Sequence, residues 1–209
     1  MRLSNKILLA TNNRDKFDEF KSLVAAYPEI DLAMASDVLR NTDKLRFVET
    51  HDTYLDNAIA KARFVNLGAH YPALGDDSGI EVLALEGKLG VRSQRYAPPK
   101  AGMNQDQANN ELLLKELAGK RRDARFVCTL ALLIEGILIS ATGTLEGAIA
   151  EAPRGTHGFG YDPLFIPKGQ GKTVAEMNSA EKNAVSHRAK ALQELMTKVK
   201  THGIVFAKP

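Results

Sequence analysis

Two adjacent acids stand in the middle of an otherwise apolar stretch: Ala73-Leu74-Gly75-Asp76-Asp77-Ser78-Gly79-Ile80, with further apolar residues as far as Leu85. Carboxylates are among the side chains least often buried, and a buried one needs a cation, a hydrogen-bond donor or a metal. A chain that sets two of them between strand-forming runs must build its fold around those partners. Residues 71–85 read as strand, acidic turn and strand, and as the chemical centre of the molecule.

Upstream, residues 6–10 read as a short buried strand ending in Thr11, Asn12 and Asn13. Arg14, Asp15 and Lys16 then open a helical pattern, with Phe17, Phe20 and Tyr27 at helical spacing and Pro28 ending it. Free backbone N–H groups and the positive end of the helix dipole at such a turn can receive phosphate, with Lys16 alongside. The plainer alternative is that Asn12 or Asn13 only caps the helix. Residues 30–35 read as a second strand. Residues 53–67 read as a helix with Leu55, Ile59, Ala62 and Val65 facing inward and Gly68 stopping it. Asn57 and Lys61, four apart, then fall on an exposed polar face.

Downstream, a helix over residues 106–117 turns Ala108, Leu112, Leu113 and Leu117 inward. Residues 124–134 and 137–149, joined at Glu135-Gly136, form the clearest hairpin in the chain. Gly155, Gly158 and Gly160 crowd around Phe159, Tyr161 and Asp162. That crowding either lets backbone approach a flat ring or simply makes a tight turn. Residues 164–166 read as a short strand. One helix is expected across residues 179–200, with Ala191, Leu192, Leu195, Met196 and Val199 as its stripe. Arg188 falls inside the stripe and His187 at its edge; with Lys182 before them, these cations point to a binding role.

Composition removes several function classes. The formal net charge of +3 does not demand a nucleic-acid-binding surface. Lys120-Arg121-Arg122 reads as a solvated loop. The single cysteine, Cys128, excludes an internal disulfide, and its apolar setting reads as a buried core thiol. No apolar run approaches the roughly 20 residues of a membrane span, and no signal-peptide core is present. The expectation is a cytoplasmic protein without membrane or nucleic-acid partners, and residues 1–209 suit one large domain or two intimate lobes.

The residues that carry chemistry combine into one inventory. Asp76, Asp77 and Glu49 suit Mg²⁺, which prefers a few carboxylates, waters and substrate phosphates. The turn at residues 11–16 suits phosphate. Lys61, Lys182 and Arg188 can neutralise charge, and Gly158-Phe159-Gly160 can stack on a ring. Phosphate, metal and an aromatic platform together point to a nucleotide.

Five segments in order carry a resemblance: residues 9–16, residues 49–57, Asp76-Asp77-Ser78-Gly79, residues 155–163 and residues 181–188. Together they resemble the inosine triphosphate pyrophosphatase family, over nearly the whole chain. The resemblance implies an α/β fold, elongated and two-lobed, with a long twisted mixed sheet flanked by helices and an active-site cleft between the lobes. It implies Mg²⁺-dependent hydrolysis of ITP, dITP and XTP to monophosphate and pyrophosphate, by a homodimer. Asp77 matches the family's catalytic base and a metal-associated acid, and Glu49 a second metal-associated acid; Asp76 is either a further metal partner or a support. Thr11, Asn12, Asn13, Arg14, Asp15, Lys16, Lys61 and Ser78 are expected at the phosphates. Phe159, Gly160, Tyr161, Asp162, Lys182, His187 and Arg188 are expected around the base. The chain departs from the family pattern at His51, Asp56, Leu89, Arg92 and Gln94.

Overall fold

A computed structural model of the chain describes residues 2–206, with backbone alone for Arg2 and Leu3. In chain order the regular elements are β1 (Arg2–Leu3), β2 (Lys6–Leu9), α1 (Arg14–Val24), β3 (Asp31–Met34), α2 (Tyr54–Ala69), β4 (Ala73–Val82), α3 (Gln105–Glu116), β5 (Asp123–Ile134), β6 (Ile137–Ile149), β7 (Phe165–Pro167), α4 (Ser179–Val185), α5 (His187–Thr201) and β8 (Val205–Phe206). Short 3-10 turns fill much of the remainder, including Thr42–Phe47 and Gly90–Arg95. No described helix is long and apolar enough to cross a membrane.

Six strands form one mixed sheet in the order β3-β2-β4-β5-β6-β7. β2 runs parallel to both β3 and β4, and β6 runs antiparallel to β7. β1 and β8 form a separate parallel pair. Parallel neighbours need a crossover, and α1 and α2 supply the helical segments between β2, β3 and β4. The expected hairpin is present, and its two-residue turn has positive φ at Glu135 (48°) and Gly136 (77°). Such a turn matches the right-handed twist of the strands it joins.

The chain divides into two compact units, one of residues up to 77, 128–143 and from 188 onward, the other of 78–127 and 144–187. In the first unit, β2 alternates: Ile7 and Leu9 join a core with Phe17, Phe20, Leu130 and Leu195, while Leu8 joins a second core with Ala62, Val65 and Ala73. A strand covered on both faces reads as a continuous apolar run, as residues 7–10 do. The second unit packs Ile80, Leu113, Phe126, Leu145, Leu164 and Phe165 into its own core.

Three local expectations are overturned. Residues 73–82 form one uninterrupted strand, with no turn at the acids. Successive side chains of a strand point to opposite faces, so Asp76 and Asp77 each find partners on their own side. Second, α2 is rotated from the expected face. It buries Asn57, Ala58, Lys61, Ala62 and Val65, while Leu55 is 40% exposed. The polar pair goes inward because carboxylates meet it there. The helix also runs through Gly68, and His70 ends it in the left-handed conformation (φ 57°). Third, the last helix breaks at Ser186, whose backbone is extended (ψ 150°), giving α4 and α5.

α2 lies directly on β4 at Gly75, where a Cβ would meet the Ala58 carbonyl oxygen at 1.9 Å. Relief would require the helix or the strand to move, because the obstacle is backbone. Gly75→Ala is expected to lower stability by about 1–3 kcal/mol, measured as a shift of the urea midpoint; an unchanged midpoint would contradict this packing.

Candidate active site

The acid cluster lies in the first unit. Asn13 caps α1 by accepting from Lys16 N at 3.0 Å, and Thr11 Oγ1 accepts from Asn13 N at 3.1 Å. Asn12 donates to the Thr42 carbonyl at 2.6 Å. The turn therefore does cap the helix as the plainer reading held, and it also aims Lys16. The Lys16 ammonium reaches Asp76 Oδ2 at 2.7 Å. Arg14 and Asp15 are exposed, and Arg14 pairs with Asp18.

Asp76 is 1% exposed and Asp77 is 6% exposed. Asp76 also accepts from the Cys128 thiol, with Sγ 3.2 Å from Oδ1. Burial pushes that thiol well above its ordinary pKa, which keeps it a neutral donor. On the other face of β4, Asn57 Nδ2 donates to Asp77 Oδ2 at 2.9 Å, and Lys61 Nζ lies 3.7 Å from Asp77 Oδ1. Lys61 also contacts Glu49 Oε1 directly. Glu49 and Asp77 thus converge on one buried ammonium. Asn57 grips the loop that carries Glu49 as well, accepting from His51 N at 3.0 Å and donating to His51 O at 3.2 Å. Nothing in the local spacing marked Asn57 for that role, because its partners come from other segments.

The electrostatics separate the two acids. Burial raises the Asp77 pKa above the usual carboxylate value, and Lys61, Lys16 and the Asn57 hydrogen bond only partly oppose it. For Asp76, burial also disfavours the charge, but Lys16, Arg188 and Lys61 outweigh it and hold the carboxyl well below the usual range. Lys61 is raised: burial works against its charge, and Glu49 and Asp77 more than compensate.

Among the described residues no three His, Cys, Asp or Glu side chains form a metal-holding group. Two hard carboxylates, Glu49 and Asp77, nevertheless share one cation, with the Glu49 side chain 22% exposed. Mg²⁺ commonly takes one or two carboxylates and completes its shell with waters and substrate phosphates, so this pair fits it. Asp76 is committed to Lys16 and Cys128.

A second cluster lies in the other unit. Asp162 Oδ2 accepts from Phe159 N at 3.1 Å and from Lys182 Nζ at 2.8 Å. The Lys182 ammonium stands 5.0 Å above the centroid of the Phe159 ring. Gly158 has φ 76°, and a Cβ there would meet Asp162 Oδ2 at 2.1 Å, so only glycine allows the carboxylate to reach Phe159 N. His187 is buried and stacks on Phe126 (centroids 4.8 Å, planes 16° apart). Asp162, Lys182, His187 and Phe126 line one recess with Leu145 and Val174.

The remaining expected residues are placed as follows. Tyr161 is buried and donates to the Ser93 carbonyl at 2.7 Å, which anchors the loop. Ser78 is half-buried on β4. Arg188 is buried in the first unit, with Nη1 3.1 Å from Glu19 Oε2. The boundary between the units falls in the first turn of α5, between the neighbours His187 and Arg188.

The pattern of the Ham1 family matches residues 7–198. The chain is 44% identical over 199 residues to the dITP/XTP pyrophosphatase of Ralstonia nicotianae, covering 93% of this chain and 96% of that one. It is 41% identical to the dITP/XTP pyrophosphatase of Bacillus subtilis, covering 93% and 97%. Among solved structures, the Ham1 protein of Staphylococcus aureus superposes with a TM-score of 0.80 at 33% identity, covering 94% of this chain and 99% of that one. A HAM1 protein of Coxiella burnetii gives 0.78 at 35% identity, covering 94% and 98%.

The depressed Asp76 carboxyl links stability to pH. Its unfolded form binds a proton more readily, so its stabilisation is complete above about pH 4. It is lost as the pH falls below that value. Wild-type stability should therefore fall more steeply on acidification below about pH 4 than that of Asp76→Asn, read from urea midpoints; parallel acid limbs would contradict the assignment.

Proposed function

The chain belongs to the Ham1 family, and we propose that it is a pyrophosphatase that hydrolyses deaminated purine nucleoside triphosphates (ITP, dITP and XTP) to monophosphate and pyrophosphate. The observation that carries this reading is the convergence of Asp77 and Glu49 on the buried Lys61. A carboxylate whose pKa is raised by burial, held by Asn57 beside a fixed cation, is equipped to take a proton from water.

Asp77 is the base. It orients a water for attack on the α-phosphorus, and pyrophosphate leaves. Glu49 and Asp77 would hold Mg²⁺, which when bound supplies charge neutralisation at the phosphates. Lys61 holds the two carboxylates in register. Lys16 and the N-terminus of α1 face the phosphate end, and Lys16 is set there by its pair with Asp76. Catalysis of this kind is mostly positioning and electrostatics.

The base is assigned to the cluster around Phe159, with the ring as platform. Lys182 and His187 are the donors on the recess. Hypoxanthine and xanthine offer an oxygen acceptor at position 6, where adenine offers an amino donor. Adenine would leave a buried donor unsatisfied, at roughly 1–3 kcal/mol. Arg188, held by Glu19, acts in this account through the field at Asp76.

A nucleotide panel tests the reading. ITP and XTP should release pyrophosphate with Mg²⁺ and not with chelator, and ATP should turn over about tenfold to a hundredfold less well. Release of orthophosphate would contradict the reaction. Asp77→Asn should lower kcat by about 10²–10⁴ in a protein that still unfolds cooperatively; retained turnover would remove Asp77 from the base role.

A further inference from the structure

The loop that presents Phe159 is gripped from outside itself by α3. Asp106 Oδ2 accepts from Gly160 N at 2.7 Å, and Asn110 Nδ2 donates to Gly160 O at 2.9 Å. The two side chains are four residues apart and so share one face of the helix. One supplies an acceptor and the other a donor, and together they bind the N–H and the C=O of a single residue.

That residue needs holding. Gly160 has φ 63°, and nothing lies within 4 Å of the place a Cβ would occupy. Packing therefore does not fix its conformation, and a glycine explores more backbone states than any other residue. The two hydrogen bonds from α3 select one of them. The next residue back is Phe159, whose own N–H is held by Asp162. The ring thus sits on a peptide anchored from both sides, by Asp162 within the loop and by Asp106 and Asn110 across from it.

α3 meets its structural needs with other residues. Asn104 and Gln107 cap it reciprocally. Ala108 and Leu113 pack inward, and Asn109 holds the preceding loop through Ala97 N and Gln94 O. Asp106 and Asn110 are left for Gly160.

We propose that Asp106 and Asn110 are positioning residues for the purine, a carboxylate–amide clamp on Gly160 that sets the Phe159 ring in its stacking orientation. The inference rests on the reading of residues 159–162 as the base-binding segment. The clamp belongs to the base end of the site, so its loss changes affinity while leaving the rate of the bound complex close to wild type. The charge-assisted half is the stronger one.

The test uses the full-length protein with ITP. Asn110→Asp turns a donor into a carboxylate facing the Gly160 carbonyl, and Asp106→Ala removes the acceptor. Each should raise KM about tenfold, with kcat close to wild type. Asp106→Asn keeps an acceptor oxygen but loses the charge, and its KM should lie between those of the wild type and Asp106→Ala. Amide exchange of residues 158–161 should quicken in Asn110→Asp and Asp106→Ala, with the melting temperature held. Phe159→Ala is the control: a raised KM there with a wild-type KM in Asn110→Asp overturns the clamp alone. An unchanged KM in Phe159→Ala overturns the base reading and the clamp's role with it. Wild-type amide protection in both clamp variants also overturns the proposal, whatever the kinetics.

Discussion

A lysine ammonium buried between two carboxylates sets the terms for the first unit. Lys61 is 4% exposed. An uncompensated charge at that depth costs several kcal/mol, so Glu49 and Asp77 must be where they are. Meeting that demand turns α2 away from the face its apolar residues would choose and leaves Leu55 in solvent. It presses the helix onto Gly75, which has no side chain to obstruct it. It also explains why adjacent acids can sit in an unbroken strand. Asp77 is satisfied from α2 and Asp76 from α1, each on its own side of β4.

The second unit repeats the device with different parts. Lys182 and Asp162 form an ion pair with little exposure, and the carboxylate doubles as the acceptor for Phe159 N. A glycine again makes the room, here Gly158 for a carboxylate where Gly75 made it for a helix backbone. The difference lies in what each pair holds. The first holds Glu49 and Asp77 against one ammonium, and the second sets an ammonium over the Phe159 ring. Both are arrangements in which breaking one partner strands the other, so substitutions at either lysine act on more than one function.

Elements set by local chemistry were legible in the sequence. The hairpin at Glu135-Gly136 follows from the turn residues, the helix start after Asn13 from its capping side chain, and the α5 stripe from its period. Glu49 could be grouped with Asp76 and Asp77 as an acid suited to Mg²⁺, but the separate roles of Glu49 and Asp77 came only through the resemblance to a known family. What escaped was every case in which a distant partner overrode local preference. Asn57 and Lys61 look like a solvated face until Asp77 and Glu49 are placed opposite them. The break at Ser186 has no proline or glycine to announce it. The grip of Asp106 and Asn110 on Gly160 joins segments about 50 residues apart, and single-sequence spacing carries no trace of it.

These networks converge on one chemical claim, that Asp77 delivers water to the α-phosphorus. Hydrolysis of ITP in water enriched in oxygen-18 tests it most directly, since attack on the α- or the β-phosphorus yields the same two products but labels different ones. The account predicts label in the nucleoside monophosphate and none in pyrophosphate. Label in pyrophosphate would place the attack on the β-phosphorus and contradict it.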